Sequence, residues 1–176
     1  MKIACLGWGS LLWKTGPLRV QGDWRADGPD VAVEFCRVAD GGELSTALCL
    51  TAPALPVFWS LVDTDDLADA CRMLRAREQI PEQRTDGVGS ALVRQGHGGH
   101  LIPWAAARGL DAVIWTGLPP RFAGVENRLP SQEDAIGYLD QLEGEAGQHA
   151  RHYIEQVPRQ LDTPYRAAIR RELGWQ

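Results

Sequence analysis

Apolar and polar positions along the chain set out a run of strands first and of helices later. Lys2–Leu6 is a short apolar run that ends at Gly7-Trp8-Gly9-Ser10, which predicts a strand running into a tight turn. Val31–Val38 (VAVEFCRV) and Glu43–Leu50 (ELSTALCL) each alternate apolar with polar residues. Between them stands Asp40-Gly41-Gly42, the signature of a hairpin. Pro56–Val62, Val88–Val93 and Ala112–Thr116 complete about six strands. Asp63 or Thr64 caps a helix that runs to about Ile80, where Pro81 stops it. Pro130-Ser131 opens a second helix, with Ser131 as cap and Asp134 three residues on in a capping-box arrangement. It runs to Gly144 or Gly147, and a helical piece follows over His149–Gln156. Thr163-Pro164 opens a last helix, closed by Gly174. Gly96–Gly99 reads as the most flexible loop.

Clustered strands followed by helices predict an α+β fold, a small mixed β-barrel or curved sheet with helices packed outside. Strand–helix alternation of the doubly wound kind is missing. A chain of 176 residues fits one domain, spanning 1–176, with 146–176 as a C-terminal helical extension. That length buries roughly 70 % of the unfolded surface, so no disulfide or metal is needed for folding. The 19 Gly and 11 Pro indicate many turns rather than a helical bundle.

Charge narrows the list of partners. The formal net charge is −5, lysine occurs only as Lys2 and Lys14, and the arginines are scattered among Asp and Glu. A nucleic-acid partner is therefore not expected, because binding it calls for a basic stripe. The cysteines (Cys5, Cys36, Cys49, Cys71) show neither a Cys-x-x-Cys pair nor zinc-like spacing, and the three that fall inside apolar runs read as small buried hydrophobes. Met1–Trp13 has Gly7 and Gly9 where a secretion signal would be apolar, and no run approaches the roughly 20 apolar residues of a membrane span. A cytoplasmic protein with no membrane partner is expected. His97 and His100 on the glycine loop, and His149 and His152 one turn apart, read as surface residues rather than metal ligands.

One residue breaks the pattern of its helix. Leu67, Ala70, Cys71 and Leu74 form a stripe at i, i+3, i+4, i+7, and residue 78 continues it, since eleven residues return a helix to within about 20°. Position 78 is a glutamate. Either the helix frays first, so that Glu78 reaches solvent or pairs with Arg75 or Arg77, or its carboxylate lines a hollow. In the second case burial raises its pKa, a nearby arginine lowers it, and the group is suited to act as a general base.

The turn Gly7–Leu12 is the second feature. Glycines beside a serine directly after a strand let backbone N–H groups converge on an anion or a carbonyl oxygen. The bland reading is a tight turn with Trp8, Leu11, Leu12 and Trp13 in the core. A dinucleotide loop is excluded, since the third glycine is missing and Gly16-Pro17 cuts any helix short. Ser10 also lacks the Gly-x-Ser-x-Gly frame of a hydrolase elbow.

In their joint order these features resemble the gamma-glutamyl cyclotransferase-like superfamily. Its members carry a Tyr-Gly-Ser turn after the first strand and a catalytic Glu closing a leucine-rich helix. Here the turn reads Leu6-Gly7-Trp8-Gly9-Ser10-Leu11-Leu12, and the helix end reads Cys71-Arg72-Met73-Leu74-Arg75-Ala76-Arg77-Glu78-Gln79. Val57–Val62 with Asp65-Asp66-Leu67, the strand Ala112–Thr116, and Pro130-Ser131 with the helix to Gly144 match the remaining order over roughly residues 1–145. Trp8 stands where the family has tyrosine, Leu11 where asparagine is common, and Gln79 where glycine is frequent.

The resemblance implies an enzyme that closes a gamma-glutamyl amide to 5-oxoproline and releases an amine or amino acid. Glu78 is then the catalytic acid/base, and Trp8, Gly9, Ser10 and Leu11 form the substrate-binding turn. Backbone N–H groups of Gly9, Ser10 and Leu11 hold the glutamyl oxygens. The partner is a small gamma-glutamyl substrate, and neither metal nor cofactor is required. A non-catalytic module binding a small ligand or a protein, or a related amine acyltransferase, is the alternative on the same scaffold.

Overall fold

The computed structural model describes all 176 residues. Ten strands and five helices follow in the order β1 (Ile3–Gly7), β2 (Val20–Arg25), β3 (Asp30–Val38), β4 (Leu44–Leu48), β5 (Ala54–Pro56), β6 (Phe58–Val62), α1 (Leu67–Arg77), β7 (Val88–Leu92), α2 (Leu101–Ala107), β8 (Ala112–Thr116), β9 (Arg121–Phe122), β10 (Val125–Glu126), α3 (Gln132–Gln141), α4 (Gly144–Gln156) and α5 (Pro164–Leu173). The fold is α+β, with two curled mixed sheets, one of them a half-barrel. The chain divides into two compact units. The first comprises Met1–Gly7, Leu11–Asp30 and Pro56–Leu118, and the second Trp8–Ser10, Val31–Leu55 and Pro119–Gln176.

In the first unit the sheet order is β2-β6-β1-β8-β7. Strand β1 is central, antiparallel to β6 and parallel to β8, and all five of its residues are buried. Burial on both faces explains its unbroken apolar run. Helix α1 packs on β7 and β8, and its Ala70, Met73 and Leu74 join Ile3, Cys5, Leu11, Leu18, Val62, Ala112 and Ile114 in one core. The helix begins later than its sequence predicts. Its N-cap is Asp66, whose side chain accepts from the Ala68 N–H at 2.9 Å, while Thr64 Oγ1 accepts from the Asp66 N–H at 3.2 Å.

Two elements of this unit were not anticipated. The edge strand β2 is mostly exposed and irregular between Gln21 and Arg25, around Gly22, so it carries no apolar alternation to read. Helix α2 starts directly after the glycine loop and buries only Leu101 and Ala105, too few for a periodic signal.

The second unit holds a sheet in the order β10-β9-β3-β4, with β5 pairing to β3. Strands β3 and β4 are antiparallel and joined by the expected hairpin, closed by Ala39 N–H donating to Glu43 O at 3.0 Å. The short strands β9 and β10 were also not anticipated. Ser131 and Asp134 form the capping box at α3, which ends at Gln141 with Leu142 as C-cap, before the glycines that were to stop it. Gly144 instead opens α4, which therefore starts earlier than the His149–Gln156 piece expected. Helix α5 is capped by Thr163 and closed by Gly174, as its sequence indicates.

The fully buried Arg166 ties α5 to α4. Its guanidinium donates to the carbonyls of Ile154 (3.0 Å), Val157 (2.6 Å), Pro158 (2.8 Å) and Leu161 (3.4 Å). These lie at and just beyond the end of α4, where backbone acceptors have no helical donor. No helix is long and apolar enough to cross a membrane.

Candidate functional site

Glu78 belongs to the first unit, and the helix does not fray before it. Its N–H donates to Leu74 O at 3.0 Å, the Gln79 N–H to Ala76 O at 3.2 Å and the Ile80 N–H to Arg75 O at 3.1 Å. The last two bonds make a Schellman close, with Gln79 in the left-handed region at φ 55°. This conformation is one that glycine adopts freely and glutamine does not. Glu78 is thus fixed as the C-cap of α1, with buried Leu74 one turn before it.

Its carboxylate is turned inward. Only 16 % of the side chain is exposed; Thr116 Oγ1 donates to Oε1 at 3.2 Å and Arg77 Nη1 lies 3.6 Å from the same oxygen. Arg77, equally withdrawn, donates through Nε and Nη2 to Lys14 O at 3.0 and 2.8 Å. Arg75, the other arginine its sequence offered as a partner, donates to Arg84 O instead. A carboxylate at a helix C-terminus opposes the helix dipole, so the Thr116 hydroxyl and the Arg77 charge are what make the position tolerable.

Cys5 lies buried on β1 in the same core. Burial first, and the neighbouring Glu78 charge second, push its thiol well above the usual range. Burial likewise raises Cys36. Neither is suited to serve as a thiolate nucleophile at neutral pH.

Leu11, the other turn residue in the first unit, buries its side chain in the core beside Ala70 and Leu74. Only its backbone amide remains to take part in binding. Trp8, Gly9 and Ser10 are counted with the second unit. The Trp8 side chain is buried, and Ser10 starts a single 3-10 turn to Leu12. Gly9 is required by its neighbours. A Cβ there would come within 2.5 Å of Thr46 Oγ1 and 2.7 Å of the Tyr153 hydroxyl. Thr46 Oγ1 also donates to Trp8 O at 2.8 Å.

Three side chains around these positions escaped the sequence: Thr116 at Glu78, and Thr46 and Tyr153 at the turn. Thr116 is the one polar residue of its strand, AVIWT, which is a faint signal. Tyr153 offered a stronger one. Ala150, Tyr153, Ile154 and Val157 repeat at i, i+3, i+4, i+7 in an otherwise polar helix, and all four are buried.

His97 and His100 are exposed, and His100 Nε2 contacts Asp30 O. His149 pairs with Glu43 at 2.8 Å. No group of three His, Cys, Asp or Glu side chains is arranged to hold a metal ion. Comparison of the chain with protein-family models, with curated proteins and with solved structures finds no significant match.

Proposed function

We propose that the protein is a gamma-glutamyl cyclotransferase-like enzyme with Glu78 as its general acid/base. The observation that carries this reading is a carboxylate held at the rigid end of α1, largely shielded from water and steered by Thr116 and Arg77. A helix that spends its last position on an inward carboxylate gives up apolar burial there, which a purely structural helix gains nothing from.

In the proposed reaction the α-ammonium of a gamma-glutamyl amide loses a proton to Glu78. The free amine attacks the side-chain amide carbonyl, so that a new C–N bond closes the five-membered ring. The attacking nitrogen then gives up a second proton, the old C–N bond breaks, and the two protons taken from that nitrogen leave on the departing nitrogen, with Glu78 passing them across. The products are neutral-ring 5-oxoproline and an amine or amino acid that departs as its ammonium. Ring closure is intramolecular, so holding the substrate in a folded pose supplies much of the acceleration. Turn amides of Gly9, Ser10 and Leu11 are assigned to the oxygen that gains charge.

One observation favours a second reading. Arg77 joins Glu78 to Lys14 O, and that pair can brace the end of α1 in a non-catalytic ligand-binding module. Incubation with a panel of gamma-glutamyl amines and amino acids separates the two. Release of 5-oxoproline with the matching amine supports the enzyme; tight binding with no product across the panel supports the module.

A further inference from the structure

We propose that Tyr153, from the C-terminal helix α4, is a positioning residue that aims the backbone donor of Gly9. This deepens the cyclotransferase reading and rests on it for its functional consequence. All the groups concerned lie in the second unit.

The hydrogen bonds form a directed chain. Thr46 Oγ1 has one proton, and it goes to Trp8 O at 2.8 Å, because a carbonyl can only accept. The 3.2 Å contact between Thr46 Oγ1 and the Tyr153 hydroxyl therefore has tyrosine as the donor. The Tyr153 oxygen in turn accepts from the Thr46 N–H at 3.2 Å. The Trp8 carbonyl thus sets the Thr46 rotor, Thr46 sets that of Tyr153, and the chain ends on the Trp8 carbonyl.

That carbonyl belongs to the Trp8–Gly9 peptide unit, which is planar and trans. Fixing Trp8 C=O on one side aims the Gly9 N–H to the opposite side, away from Thr46 and Tyr153. The missing side chain at Gly9 is what lets both hydroxyls close up, since a Cβ would collide with each. Tyr153 itself is held by burial at 7 % exposure, with Ala150 and Ile154 on the same face of α4. Helix α4 packs against β4, the strand that carries Thr46. The C-terminal segment thereby contributes a hydroxyl to a turn that the first residues of the chain build. Trp8, whose indole has a donor but no hydroxyl, cannot supply that group itself.

The test compares Tyr153→Phe, Thr46→Val, their double variant and Thr46→Ser in the full chain. Two readouts are taken: exchange of the Gly9 amide proton by NMR, and kcat/KM for 5-oxoproline release. Tyr153→Phe and Thr46→Val should each speed Gly9 exchange and lower kcat/KM about tenfold, the factor one ordinary hydrogen bond represents. The double variant should be no worse than the worse single one, because both act through one chain of bonds. Thr46→Ser, which keeps the hydroxyl, should stay near wild type. Amides of β1 from Ile3 to Leu6 should be unmoved, which separates this effect from general loosening. Gly9 exchange unchanged in both single variants would overturn the inference, as would additive losses in the double. If Tyr153→Phe loosens α4, Thr46→Val interrupts the same chain from the strand. If the wild type releases no 5-oxoproline, the cyclotransferase reading fails, and Gly9 exchange still decides the positioning role.

Discussion

The Thr116 hydroxyl donates to Glu78 Oε1 at 3.2 Å, joining the end of β8 to the end of α1 around a mostly shielded carboxylate. A hydrogen bond to a charged group contributes about 1.5–3 kcal/mol. Thr116→Val keeps the branched shape and removes the donor. It is expected to lower unfolding free energy by about 1.5 kcal/mol, read as a lower urea midpoint at unchanged slope. Equal midpoints would show that this bond does not hold the carboxylate.

The close of α1 makes a prediction of opposite sign. Gln79 occupies the left-handed region at φ 55°, where a side chain costs about 1–2 kcal/mol relative to glycine. Part of that is offset by the greater freedom of glycine in the unfolded chain. Gln79→Gly should stabilise the protein by about 0.5–1 kcal/mol, with no loss of Glu78-dependent activity. Destabilisation on urea titration would contradict the Schellman close.

Arg166 is expected to be the most sensitive residue of the C-terminal segment. Its guanidinium serves four carbonyls at and beyond the end of α4. Arg166→Met fills similar space and leaves those acceptors unserved, at about 1–3 kcal/mol for each group that stays buried. A loss of about 3 kcal/mol or more is expected, with amide exchange in α4 rising more than in α1. Uniform exchange across both helices would assign Arg166 no special hold on α4.

Glu34 carries the pH dependence. It is buried on β3 and accepts from the Phe35 N–H at 2.8 Å and the Tyr165 N–H at 3.2 Å. Burial, the leading cause, raises its pKa above the usual carboxylate value, against the opposing hydrogen bonds. Between the ordinary value and the raised one, the folded protein binds a proton that the unfolded chain lacks. Stability should therefore fall as pH rises through that window. Exposed Asp27, Asp40 and Asp86 are shifted downward, so their weak and opposite effects lie below it. Glu34→Gln should flatten the slope, measured as unfolding free energy against pH. A slope unchanged in Glu34→Gln would place the titration elsewhere.

What the sequence made legible follows from burial. Strands with one face or both in the core, such as β1, β3 and β8, carry a pattern, and so does α3 with its capping box. The edge strand β2 and the short α2 bury too little to show one. Glu78 stood out because a carboxylate interrupted an apolar stripe. Its helix stripe was nevertheless read slightly off centre: Met73 is buried, while Leu67 and Cys71 are only partly so. Partners of the candidate residues were harder to see. Thr116 lies 38 residues from Glu78, and Tyr153 lies 107 from Thr46. Only the folded chain brings such pairs together, because no local periodicity links them.

The most direct test compares wild type and Glu78→Gln for release of 5-oxoproline from a gamma-glutamyl amide that the wild type turns over. Glutamine keeps the shape and the acceptor for Thr116 but cannot take a proton. Turnover should drop by about 10²–10⁴-fold while the variant stays folded at the assay temperature. A folded Glu78→Gln protein that releases 5-oxoproline at the wild-type rate would contradict the assignment of Glu78 as the base.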